Sequence, residues 1–257
     1  MKWPASVTLI RHGESAYNVL RELKRHDPDH IEFLAEYEQD YRSTRARELA
    51  ILIRERYALD CSDAQTPLTP RGHEQALATG RRLHEIIPTP DMIFFSPYLR
   101  TVQTDWGVVQ GWPDLRHVPH IEDDRIREQG HGLALLYSDW RVYHVFHPEQ
   151  RELRDLLGPY WYQFPQGESV PQVRDRGRDF LGMLSREYAG QHVLVHTHHL
   201  TILSTRANLE RLPPDEFVRL DEEEKPINCG VTHYVGQPNL GKNGKLVLQI
   251  YNERLYD

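Results

Sequence analysis

The stretch Val7-Thr8-Leu9-Ile10-Arg11-His12-Gly13-Glu14-Ser15 decides the fold. Residues 7–10 are apolar and rich in β-branched side chains, the pattern of a short strand buried on both faces. The run stops at Arg11. Gly13 lets the backbone turn, and Ser15 is placed to cap a helix starting near Ala16. A buried strand that ends in polar residues and leads into a helix marks the edge where open α/β sheets bind ligands.

Two later segments repeat the pattern. Residues 92–95 run into Ser96-Pro97-Tyr98-Leu99-Arg100-Thr101, and residues 192–195 run into His196-Thr197-His198-His199. Helical spacing is expected from Thr69-Pro70 onward until Pro88, then from Tyr98 to about residue 109, over 149–157, over 169–188 and over 200–209. Residues 111–127 contain Pro113 and Pro119 and read as irregular. Residues 230–235 and 245–251 read as a terminal hairpin. Strands alternating with helices predict an α/β three-layer sandwich, with a mostly parallel central sheet flanked by helices on both faces. We expect one domain over residues 1–257, interrupted by a helical insertion at about 20–62. Within it Ile31, Leu34, Tyr37 and Tyr41, then Leu49, Leu52, Ile53 and Tyr57, recur at helical spacing around a polar stretch, so two helices or one bent helix are expected. Two readings stay open for this insertion: packing on the core, or a cap in which Tyr37, Tyr41, Arg42 and Arg45 roof a site.

The composition narrows the classes. The 257 residues are 39% hydrophobic, enough for a sizeable core, and the formal net charge is −7. An acidic chain is a poor general binder of nucleic acid, although a local basic pocket remains compatible with it. Cys61 and Cys229 are far apart and form no CxxC pair, which favours reduced thiols. The apolar run before Arg11 is too short for a signal peptide or a membrane span, so a soluble cytoplasmic protein is expected.

If the three strand ends converge, they bring together a coherent set of groups. Arg11 and Arg100 offer guanidinium forks that match a phosphate. His12 is a nucleophile when neutral, and two nearby guanidinium charges favour that form. Backbone N–H groups after Gly13 are expected to face an anion. His198 can donate to phosphoryl oxygens. These charges make a metal or cofactor unnecessary. A zinc site at His196-Thr197-His198-His199 is the sharpest alternative, but no Cys, Asp or Glu stands at ligand spacing to that cluster.

These segments resemble the signature of the histidine phosphatase superfamily, which includes the cofactor-dependent phosphoglycerate mutases. The Arg11–Ser15 motif, Pro67-Leu68-Thr69-Pro70-Arg71-Gly72 with Gln75-Ala76, and Ser96 through Thr101 follow in family order. So do Ile126-Arg127-Glu128-Gln129, then Gly167-Glu168-Ser169 with Arg176, then Val193 to His198. The resemblance covers the chain apart from residues about 20–62. Its Arg127-Glu128-Gln129 and Phe164-Pro165-Gln166-Gly167-Glu168-Ser169 segments look most like a phosphatase-like branch, which tilts the reading toward hydrolysis.

The resemblance implies that His12 becomes phosphorylated, that Arg11, Arg100 and His198 hold the phosphoryl group, and that Glu128 protonates the leaving oxygen. Ser15, Asn18, Gly13 and His199 form the implied substrate contacts. His199 stands where the family commonly has Gly. The implied ligand is a small phosphorylated substrate, with no nucleic acid, membrane, metal or cofactor. A mutase is the near alternative and a non-catalytic phosphate-binding module the distant one. The terminal hairpin leaves an edge that could pair in a homodimer.

Overall fold

The computed structural model describes residues 2–257. In chain order the α-helices are α1 (Ala16–His26), α2 (Pro28–Asp40), α3 (Thr44–Arg56), α4 (Pro70–Leu83), α5 (Leu99–Gly111), α6 (Trp140–Phe146), α7 (Pro148–Leu157), α8 (Val170–Glu187), α9 (His199–Glu210) and α10 (Pro214–Glu223). The strands are β1 (Ser6–Arg11), β2 (Met92–Phe95), β3 (His120–Glu122), β4 (His192–Thr197), β5 (Val231–Gln237) and β6 (Lys245–Glu253). The chain divides into two compact units. The first comprises the residues up to Ser15 with Ala64–Glu128 and Gln172–Asp257, and the second Ala16–Asp63 with Gln129–Pro171.

The first unit is built on one six-stranded sheet in the order β3-β2-β4-β1-β5-β6. Strands β3, β2, β4 and β1 run parallel, and β5 and β6 are antiparallel additions. Alternation along the buried strands sends side chains to two cores. Val7, Leu9, Phe94, Val193 and Val195 pack with Phe180 and Leu184 of α8 and Ile202 of α9. Ile10, Ile93 and Leu194 face the other way, against Leu83 and Val108 of α4 and α5. This is the expected three-layer arrangement.

Register then brings the strand ends level. Ile10 pairs with His196 and Arg11 with Thr197 across β1 and β4, while Phe95 pairs with His196 across β2 and β4. The residues that follow each strand, His12, Ser96 and His198, therefore leave the sheet side by side.

Three readings need correction. Residues 111–127 are not wholly irregular, because residues 120–122 form β3 at the sheet edge. Three residues with two of them polar carry no periodic signal. Helix α4 ends at Leu83, well before Pro88. Helices α6 and α10 were not anticipated; each starts at a cap or Pro that the apolar spacing does not announce.

The second unit contains the expected helical insertion as α1, α2 and α3, joined by residues 129–171, whose pattern does not announce that grouping. The polar stretch between α2 and α3 separates two helices because each has its own cap. Asp27 accepts the Asp29 N–H ahead of α2, and Ser43 accepts the Ala46 N–H ahead of α3. Phe33, Tyr37, Leu49, Ile53 and Val142 form the core, each worth roughly 1.5–3 kcal/mol of burial. Lys24 is buried as well and is neutralised locally: its Nζ donates to the Ser138 carbonyl at 2.7 Å and lies 3.4 Å from Asp139. Tyr37 is committed to this core, Arg42 pairs with Glu152, and Arg45 pairs with Glu32 at 2.7 Å. The proposed roof residues are thus engaged inside their own unit.

Candidate active site

The nucleophile candidate sits in the turn after β1. His12 is 4% exposed, and its Nδ1 lies 2.7 Å from the Gly13 carbonyl oxygen. A carbonyl only accepts, so Nδ1 carries the proton and a neutral ring has its lone pair on Nε2. Burial lowers the His12 pKa well below the ordinary imidazole value, with the Arg100 and Arg11 charges acting in the same direction and the Gly13 bond opposing them. The ring is therefore neutral near pH 7 and chemically ready as a nucleophile.

The turn is held by groups from distant parts of the first unit. Asn228 Nδ2 donates to both the His12 and Gly13 carbonyls at 3.0 Å, and the Cys229 N–H donates to the Arg11 carbonyl at 3.0 Å. Arg11 anchors one nitrogen on the Pro226 carbonyl at 2.7 Å.

Gly13 is required for space rather than for an unusual φ. A Cβ there would come within 2.5 Å of the Gly72 carbonyl oxygen, and a Cβ on Gly72 within 2.1 Å of the Glu14 carbonyl oxygen. Of the backbone N–H groups after Gly13 that were expected to face an anion, that of Glu14 is taken up inside the fold. The Gly13 N–H donates to Thr104 Oγ1 at 3.0 Å and the Glu14 N–H to Gln75 Oε1 at 2.8 Å. These donors fasten the turn to α4 and α5. Glu14 has a structural part in this, since its carboxylate also accepts the Thr69 hydroxyl at 2.8 Å.

Around His12 stand the other expected groups of this unit. The His12 and His198 ring centroids are 5.3 Å apart. His198 is fully buried, and burial first, then Arg100, His12 and Arg11, holds its pKa well below the usual value. Arg100 is 4% exposed, not the solvated helix residue its position alone suggests, and it stacks 4.8 Å from the Tyr98 ring. Tyr98 in turn meets the His198 ring edge-on at 5.1 Å. Two guanidinium groups, two neutral imidazoles and a carboxylate from residues 11 to 198 thus come from one end of the sheet.

Glu128 ends a loop pinned at every step. Thr197 donates to the Ile126 carbonyl at 2.7 Å, Thr201 to the Arg127 carbonyl at 2.6 Å, and Arg176 to the Arg125 and Glu128 carbonyls at 2.7 and 3.0 Å. The Glu128 carboxylate accepts the Leu200 N–H at 3.1 Å, in the first turn of α9. Arg176, Asn228, Thr104 and Ser96 were not assigned roles from the sequence; each acts through a contact more than 45 residues away in the chain, which no local pattern announces.

Three imidazoles of the His-Thr-His-His segment go to three different partners. His196 Nε2 lies 3.2 Å from Asp105, His198 Nε2 lies 2.8 Å from Ser96 Oγ, and His199 Nε2 lies 2.6 Å from Asp221. Among the described residues no group of three or more His, Cys, Asp or Glu is arranged to hold a metal ion. His199, expected to touch substrate, directs its Nε2 to Asp221 of α10. Ser15 is buried and bridges to Leu68. Asn18 belongs to α1 of the second unit.

A buried pair of neutral imidazoles flanked by arginines, at the ends of the parallel strands of this sheet, is an arrangement suited to a phosphate group. The chain belongs to the histidine phosphatase superfamily (branch 1), whose family profile matches residues 55–240. That span contains Arg100, Glu128 and His198 and begins after His12. Among its relatives is a phosphoglycerate mutase-like protein, AT74H, of Arabidopsis thaliana, 28% identical over 194 residues, or 72% of this chain and 54% of the relative. Another is the fructose-2,6-bisphosphatase TIGAR B of Danio rerio, 29% identical over 127 residues, or 49% of this chain and 46% of the relative. The chain spans about half the length of these curated relatives. The solved mycobacterial glucosyl-3-phosphoglycerate phosphatase has the same fold, with a TM-score of 0.65 at 18% identity over 96% of this chain and 99% of that one. Among the described residues no helix is long and apolar enough to cross a membrane.

Proposed function

We propose that this chain hydrolyses a small phosphomonoester through a phosphohistidine on His12. The observation that carries the reading is the His12 imidazole: buried, neutral, protonated on Nδ1 by its bond to Gly13, and flanked by Arg11 and Arg100. The Nε2 lone pair attacks phosphorus as the bond from phosphorus to the ester oxygen breaks. Arg11, Arg100 and His198 stabilise the charge on the equatorial oxygens. Glu128 passes its proton to the leaving alkoxide. Water then attacks the phosphoryl group, the P–N bond breaks back to Nε2, and Glu128 receives the proton of the water. The free alcohol and orthophosphate are the products. The low-pKa environment keeps His12 from being protonated between cycles.

The phosphatases among the relatives support a hydrolytic outcome, and the mutase-like relative makes transfer to a second hydroxyl the outcome to test against it. A panel of phosphomonoesters, phosphoglycerates included, run with and without a bisphosphate primer, separates the two. Release of orthophosphate independent of primer is expected. Primer-dependent interconversion of phosphoglycerates without net orthophosphate release would overturn hydrolysis.

A further inference from the structure

The second unit holds a concentration of positive charge that its fold does not neutralise. Tyr37 and Trp140 meet edge to face with centroids 6.2 Å apart, and His144 packs against Trp140 at 5.3 Å while its Nδ1 bonds the Tyr37 hydroxyl at 3.0 Å. Three guanidinium groups lie on this aromatic plate. Arg141 and Arg154 lie 4.1 and 4.4 Å from the centroid of the same indole, and Arg151 lies 4.8 Å from the Tyr37 ring.

Their acidic neighbours are few. Asp155 takes Arg151 at 2.7 Å. Asp139 is 3.9 Å from Arg141 and is already shared with Lys24 and His30. Among the described residues no carboxylate reaches Arg154 within ion-pair distance. Its charge is half-buried, beside two like charges, and burial, with Arg141 and Arg151 assisting, lowers its pKa. His144 adds a fully buried ring whose Nε2 has no partner among the described residues. Like charges stacked on one ring cost free energy unless something negative joins them. Planar guanidinium forks held in place by stacking are pre-organised for a tetrahedral oxyanion, because little side-chain freedom remains to be lost.

We propose that Arg141, Arg151 and Arg154, set on the Tyr37–Trp140 plate, form a binding site for a phosphate-class anion. The site is complete within the second unit. The anion is either a second acidic group carried by the substrate or a free ligand.

Pyrophosphate is the probe, and the indole N–H signal of Trp140 in a 1H–15N spectrum of the full chain is the reporter. Saturable movement of that signal is expected, retained in His12→Ala and weakened roughly tenfold or more in Arg154→Gln, the usual effect of losing one charge-assisted contact. Arg154→Lys keeps the charge without the fork and is expected to fall between. A pyrophosphate-induced rise in Tm, reduced in Arg154→Gln, gives a second reading that does not depend on the spectrum. A Trp140 signal unmoved at millimolar pyrophosphate, or moved equally in Arg154→Gln, overturns the proposal. Kinetics separate the sources. A raised KM in Arg154→Gln for monoesters with a second acidic group, with aryl phosphates unaffected, assigns the site to the substrate; binding with both substrate classes unaffected assigns it to a free ligand.

Discussion

Ser96 Oγ lies 2.8 Å from Nε2 of His198. The same oxygen accepts the Tyr98 N–H at 3.4 Å on one lone pair, and we expect its hydroxyl proton to go to the imidazole. Nε2 is then the bare nitrogen. A neutral His198 then carries its proton on Nδ1, which is buried and without a partner among the described residues. Ser96 thereby sets the tautomer that can donate to a phosphoryl oxygen.

This relationship is open to direct observation. The 15N shifts of His198 are expected to report the Nδ1–H tautomer in the wild type and a mixture in Ser96→Ala. The kcat of Ser96→Ala is expected to fall roughly tenfold with KM little changed, the pattern for an interaction made mainly in the transition state, and Ser96→Thr is expected to recover it. A wild-type His198 found as the Nε2–H tautomer would end this reading.

Glu128 depends on Arg176 in a comparable way. Arg176→Gln removes the donors to the Arg125 and Glu128 carbonyls and frees the loop that carries the carboxylate. We expect kcat to drop by about 10- to 100-fold, since small misplacement of a reacting group is costly. Tm should fall by only a few degrees. Unchanged kcat in a folded Arg176→Gln enzyme would show that the carboxylate needs no such support.

Much of this was legible in the sequence, and the boundary has a physical basis. Strands β1, β2 and β4 are continuous apolar runs because both faces of the sheet are covered, and each ends where polarity returns. The edge strand β3 has no covered pair of faces, so His120, Ile121 and Glu122 do not read as a strand. Arg11, His12, Arg100, Glu128 and His198 were visible because motifs mark them. The Glu14 N–H, one of the groups after Gly13 expected to face an anion, is taken by Gln75, which lies far along the chain and beyond any local pattern. The grouping of residues 129–171 with the inserted helices depends on tertiary contacts such as Lys24 to Asp139, which no period in the sequence encodes.

The paired glycines at the nucleophile turn give a prediction about stability. Gly72→Ala would push a methyl to 2.1 Å from the Glu14 carbonyl oxygen, a contact the backbone must move to relieve. Overpacking of this kind costs about 1–3 kcal/mol. Chemical denaturation should show that loss, and the displaced turn should reduce activity further. Wild-type stability in Gly72→Ala would mean that the two backbone segments are not held together as described.

Acid sensitivity follows from the buried imidazoles. Burial lowers His12 and His198 well below 6.5, brings His196 to about 4 and, with Arg154 and Arg151, His144 to about 3. Below 6.5 the unfolded chain binds protons that these native rings refuse, so stability falls as pH falls. His120, raised chiefly by its bond to Asp105, works in the opposite direction and contributes stability that is lost as pH rises through its folded value. His233 is lowered by burial as well, so five lowered groups against one raised group give a net loss. Denaturant midpoints should decline from about pH 7.5 to about pH 5.5, and His144→Phe should flatten the decline. A midpoint that rises toward acid pH would contradict the neutral burial of these rings.

The most direct measurement is rapid acid quench of the enzyme during turnover of a phosphomonoester, followed at once by return to alkaline conditions and peptide mapping. A phosphoryl group stable to base and labile to acid, carried by the peptide containing His12 and absent from His12→Ala, is the predicted result. Phosphate found on another residue, or undiminished turnover in His12→Ala, would contradict it.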